Sequence, residues 1–403
     1  MAYRWEHLTP FIRDAIFGML TCVAITATVP RTLTYLLPDN FTSSINGNFL
    51  EGTWTSDPTI QRFLAREEGS VVVCYTPVTA PFCGSSLSAR LVADWPGRGA
   101  FFEGGIYIPA LHEVWFTSTY ANYPSPGWIT AYNLVTDTFR HIPQIKYGAG
   151  GVYHAQDDRV YIGAIPPTPG VTAINPVTLS TSTIFNSYFG LEFSCVDDLV
   201  WVNHSSTGRP YMFFTTFFTS LEPEGSVVPI DRPIQLPNGV WRWDPVEQAL
   251  RPVITRLDIP IPNGIAVSPD QRTLYVTDSL GIAAGGVAGG NAGYAPTAGP
   301  NTYVYDLDED MLPINRRVFA LARSGYPDGI HVDDYGCVWT AEGEGIVVRN
   351  PQGTILALFP QEVFGVHEGQ IANFALANDT LVVAAMDRLY VVRLGVVVAT
   401  GQT

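Results

Sequence analysis

The stretch PNGIAVSPDQRTLYVTDS (262–279) returns in altered form as PDGIHVDDYGCVW (327–339). Each copy opens on a polar residue and a glycine and runs into an apolar strand. It then turns on SPDQ or DDYG and leaves in a strand rich in Val, Tyr or Trp. Related units are FFEGGIYIPALHEVWFTSTY (101–120), GGVYHAQDDRVYIG (150–163), DDLVWVNHSSTGRPYMFFTT (197–216) and IANFALANDTLVVAAMDRLYVVRL (371–394). Units starting near Glu103, Gly150, Asp197, Asn263, Asp328 and Ile371 stand roughly 45–65 residues apart, about the length of a four-stranded propeller blade. One unit cannot bury both faces of its small sheet. Several arranged radially can, and that arrangement hides most strand edges. The pattern predicts an all-β chain: a single six-bladed β-propeller over 31–403, with an N-terminal extension. The strand near 69–77 is expected to complete the last blade. A β-sandwich would need fewer repeats over this length.

Composition agrees. The chain has 403 residues, 46% hydrophobic and only 15% charged, with 37 Gly and 31 Pro. That much apolar material excludes intrinsic disorder, and the scattered breakers exclude long helices. A net charge of -15 repels phosphate backbones, so nucleic acid is not an expected partner. No βαβ fingerprint points to a nucleotide cofactor, and nothing points to an obligate protein partner.

Residues 1–30 read as a signal peptide, a short anchor or a packed N-terminal helix. The run AIFGMLTCVAITATV (15–29) is apolar with a small-residue end, but Glu6 and Asp14 interrupt its basic flank. A secretory location is the expectation, with a cytoplasmic one as the alternative. Sequons at Asn40, Asn203 and Asn378 agree with secretion and glycosylation. Cys74 and Cys83 flank YTPVTAPF, a Pro-containing turn that would bring them together as a disulfide in an oxidising compartment; the alternative is separate buried thiols. No CxxC pair with nearby His marks a zinc site.

Glu103, Asn263 and Asp328 each stand at a unit's start and immediately before Gly. In a propeller such positions converge on the axis, and Gly permits close backbone approach. Carboxylate and amide oxygens around one point suit a hard cation, Ca²⁺ first and Mg²⁺ or Mn²⁺ as alternatives.

Here the sequence resembles the SMP-30/gluconolactonase/LRE-like family, which includes fungal lactonohydrolases. The resemblance is close over 262–279 and 327–339 and extends over about 100–395. It implies a six-bladed propeller, one divalent cation in the central channel and hydrolysis of lactones. The family's metal-binding Glu, Asn and Asp match Glu103, Asn263 and Asp328, the last also serving as general base in some family mechanisms. Where members carry FNSPNDLVV, this chain has FNS (185–187), nine further residues, and then DDLVW. Asp197 would thus replace an Asn that contacts metal or substrate. It keeps an oxygen donor and loses an amide N–H.

The expected chemistry is hydrolysis of a small or medium lactone, with Asp328 or Asp197 as base. His154 and His367 are secondary candidates for base or proton shuttle, Glu368 for a further channel carboxylate. Tyr107, Tyr153, Tyr188, Phe189 and Trp201 are candidate pocket walls, and the Gly-rich stretch 289–300 is a candidate cover. The inserted segment 188–193 and Asp197 leave open a fungal secondary-metabolism cyclase of hetero-Diels–Alder type, acting on an apolar natural-product precursor in a shaped cavity. A non-catalytic propeller binding protein is the third reading.

Overall fold

A computed structural model of the chain describes residues 26–36, 42–43, 48–83, 87–118, 127–217, 234–280, 299–367 and 369–399. Six sheets stand around one axis as the blades of a propeller. Blades 1 to 5 take their strands in chain order from 103–142, 148–185, 196–255, 262–321 and 330–360. Blade 6 combines Phe374–Ala377, Thr380–Ala385 and Arg388–Arg393 with Ala89–Asp94 as its outermost strand.

That last pairing closes the ring, and it corrects the expectation that 69–77 would do so. Only residues 95–102 separate Ala89–Asp94 from the inner strand of blade 1, the usual short step from one blade to the next. Val72–Thr76 instead pairs with Ile355–Pro360 at the rim of blade 5 and carries Thr26–Pro30 beside it in parallel. Blade 5 thereby grows to six strands. Ala27 and Val29, from the apolar run grouped with 1–30, are buried in this edge. Residues 1–25 lie outside the described residues. The expected disulfide joins Cys74 and Cys83 and pins the new strand to the turn that follows it. Among the described residues no helix is long and apolar enough to cross a membrane.

The cores lie between blades. Ile106, Trp115 and Ile129 of blade 1 pack on Val160 and Ile162 of blade 2. Tyr161 and Phe185 meet Trp201, Phe214 and Trp241 between blades 2 and 3. This explains the burial gradient. Glu103–Ile108 and Pro262–Val267 are buried at every position because neighbouring blades cover both faces. Pro313–Leu321, at a rim, is mostly exposed. Inner strands read as continuous apolar runs for this reason.

Candidate functional site

Each inner strand begins at the same end of the propeller, and residues at or within two positions of those starts are tied to the preceding blade through their carbonyl oxygens. Thr117 donates to Ala149 O at 2.9 Å, Thr215 to Asn263 O at 2.6 Å and Thr277 to Asp328 O at 2.8 Å. Gly329 N donates to Ala372 O at 2.9 Å. The ring of equivalent positions is therefore Glu103, Ala149, Asp197, Asn263, Asp328 and Ala372. The register slips by a bulge just after this position in blade 1 and across it in blades 2 to 4, which turns a strand residue out of the pleat. The next position is mostly glycine, and the reason is space. A Cβ on Gly264 would lie 2.4 Å from Asp328 O, and one on Gly329 would lie 2.6 Å from the Asn373 side chain.

The fold thus gathers Glu103, Asp197, Asn263 and Asp328 from blades 1, 3, 4 and 5, all of them buried. Burial pushes the Glu103, Asp197 and Asp328 carboxyls well above the usual range. The charges acting on them are carboxylates too: Asp328 and Asp198 on Glu103, Glu103 and Asp198 on Asp197, and Asp197 and Asp198 on Asp328. Asn373 eases Glu103 by donating to its Oε2 at 3.1 Å, and Asn263 and Gln370 donate to Asp328. Asp328 Oδ1 is buried with no partner.

Asp198, one residue past the ring, has a different task. Its Oδ2 accepts from Ile265 N at 3.1 Å and its Oδ1 from Leu199 N at 2.9 Å, tying blade 3 to blade 4. Burial raises its carboxyl to about 7 against those two bonds.

Among the described residues no three His, Cys, Asp or Glu side chains stand together as a ready metal-binding group. The donor chemistry nevertheless fits a hard cation. Buried, mutually repelling carboxylates, an adjacent amide and an orphaned carboxylate oxygen lack a positive charge among them.

The other candidates fall elsewhere. His154 is buried at the far end of its strand, next to the turn rather than at the ring. Its Nδ1 is 2.8 Å from Asp157 Oδ1 and its ring stacks on Trp201 at 4.4 Å. Strand length carries it away: five residues at ~3.3 Å each separate it from Ala149. His367 is exposed, near enough to Glu51 to act on that carboxyl. Neither imidazole joins the ring. Glu368 lies outside the described residues, as does 289–298 of the Gly-rich stretch. Tyr107 accepts from Asn378 Nδ2 at 2.8 Å, Tyr153 donates to Asp158 at 2.9 Å, and Tyr188 packs on Trp241. Phe189 is 92% exposed at the tip of a short hairpin. Asn373 and Gln370 escaped the sequence reading because no glycine follows them; the unit start at Ile371 was the available signal.

The sequence pattern described as the SMP-30/gluconolactonase/LRE-like region matches residues 292–364. Gluconolactonase of Zymomonas mobilis is 26% identical over 219 residues, 52% of this chain and 54% of that protein. Lactonohydrolase oryL of Aspergillus oryzae is 24% identical over 319 residues, 73% of this chain and 66% of that protein. The alignments thus span between half and two thirds of these curated relatives. A solved gluconolactonase of Xanthomonas campestris superposes with a TM-score of 0.59 at 19% identity, over 77% of this chain and 90% of that one. Fold and ring together define a six-bladed propeller with an acidic axial centre. Residues 292–364 thus carry the pattern of the SMP-30/gluconolactonase/LRE-like region, and the chain is similar to a gluconolactonase and a lactonohydrolase over the spans given.

Proposed function

We propose that the protein is a divalent-cation-dependent lactone hydrolase acting at the axial ring. The observation that carries this reading is the buried set Glu103, Asp197, Asn263 and Asp328, with Asp328 Oδ1 left unpartnered. The names of the relatives from Zymomonas and Aspergillus support the reaction class.

Glu103, Asp328 and the Asn263 amide oxygen, with Asp197 beside them, are the groups that would hold the cation, Ca²⁺ by their hardness. Bound there, it supplies positive charge toward the lactone carbonyl oxygen. The protein's own contribution is a proton acceptor in a dry site. Asp328 Oδ1 is free to take a proton from water while Asn263 and Gln370 hold the carboxylate in place. The water oxygen bonds to the carbonyl carbon, the ring C–O bond breaks, and the proton passes to the departing ring oxygen. Asp197 is the alternative acceptor, because direct engagement of Asp328 with a cation would lower its basicity.

A pH-stat panel of five- and six-membered lactones tests the reading. At least one is expected to be opened with release of one acid equivalent, and chelation by EDTA should lower that rate at least ~100-fold until Ca²⁺ is restored. Turnover unaffected by chelation would remove the cation from the mechanism; no turnover across the panel would remove the reaction class.

A further inference from the structure

Blade 2 differs from the other five. At the ring position and the one behind it, blades 1, 3, 4, 5 and 6 offer Glu103, Asp197 with Asp198, Asn263, Asp328 and Asn373. Blade 2 offers Ala149 and Gly150. The polar ring therefore has one apolar gap. A cavity of about 440 Å³ opens at the same end of this blade, within the size range of small-molecule sites. Its inner wall includes Tyr147 and Ala164, and Ala164 pairs with Gly148, the neighbour of the ring residue Ala149. Val171 and Phe185 add apolar surface farther out.

Lys146 lies on this cavity and is the chain's one lysine. It is exposed, and among the described residues no carboxylate forms an ion pair with it. Glu192 lines the same cavity. In a chain of net charge -15, a lone ammonium above walls that mix Ala164, Val171 and Phe185 with Thr172, Thr183 and Glu192 favours a ligand with one negative charge over a phosphate dianion. Lys146 stands three positions before Ala149, at most about 11 Å of extended chain. A short apolar substituent leaving the axis across blade 2 would bring its end within reach of the ammonium.

Resting on the lactone-hydrolase reading, we infer that this cavity is the substituent subsite and that the preferred lactone carries a short apolar chain ending in a carboxylate, met by Lys146.

Two probes test this: a γ-lactone bearing a pentanoate chain, and its methyl ester. The intact protein is expected to prefer the acid by ~5-fold in kcat/KM, the scale of one exposed ion pair. Lys146→Ala should abolish the preference through KM, and Lys146→Arg should restore it. Because the chain has one lysine, acetylation followed by peptide mass mapping reads the same site without turnover. The acid should slow acetylation of Lys146 ~5-fold and the ester should not. Protection of Lys146 without turnover of either probe would keep the subsite and overturn the hydrolase reading. Turnover with no acid preference and no protection would keep that reading and overturn the subsite.

Discussion

Asp328→Asn is expected to lower kcat/KM for lactone opening by at least ~100-fold, the scale of a lost general base, with the propeller intact. The backbone of residue 328 is held independently of its carboxyl: its N–H donates to Ala341 O at 2.9 Å and its C=O accepts from Thr277 at 2.8 Å. An amide of the same shape keeps those bonds. It also removes one negative charge from a buried group whose members repel one another. The metal-free variant should therefore melt no lower than the parent. Initial rates on a lactone that the parent opens, with melting curves of both proteins, check this. Parent-like rates would take Asp328 out of the chemistry; a collapse of the melting temperature would make its role structural.

The second large effect concerns stability. Asp278 ends the second strand of blade 4, and burial raises its carboxyl to about 7, although Ile261 N and Leu280 N both donate to its Oδ1. In the unfolded chain the group titrates near its ordinary value of 3.8. Below that pH both states are protonated and no stability is lost. As pH rises through the window up to about 7, the unfolded chain releases the proton first and folding becomes less favourable. Above about 7 the full cost remains, roughly 4 kcal/mol by the size of the shift. Asp278→Asn keeps an Oδ1 to accept both N–H groups and cannot ionise. The variant should come within ~1 kcal/mol of the parent at pH 4 and exceed it by up to ~4 kcal/mol at pH 8. Urea denaturation at the two pH values measures the difference; an equal effect at both would mean that ionisation of this carboxyl is not its cause.

The repeat logic was legible because each blade must bury both faces of its inner strand, so PNGIAV and PDGIHV carry the same apolar run after the same polar-Gly start. Glu103, Asn263 and Asp328 were legible for a related reason: the close approach of neighbouring backbones demands Gly264 and Gly329. Asp197 followed by alignment, and the ring places it in register with the other three. Asn373 was hidden because here a side chain fills the second position and bonds Glu103, so no glycine marks the place. His154 misled because a Gly-Gly start lies nearby in sequence, while an extended strand carries the imidazole to the opposite end. The closing strand was misassigned because 72–76 and 89–94 are both strand-like. What separates them is the short step from Asp94 to Glu103 and the pairing of Val72–Thr76 with Thr26–Pro30, which no local pattern reveals.

We propose the axial ring as a cation-dependent reaction centre. The most direct measurement is bound calcium per chain after loading with Ca²⁺ and dialysis into metal-free buffer, for the parent and for Glu103→Gln. Close to one ion per parent chain is expected, with most of it lost in the variant. A parent that retains no calcium, magnesium or manganese, or a variant that retains as much as the parent, would contradict it.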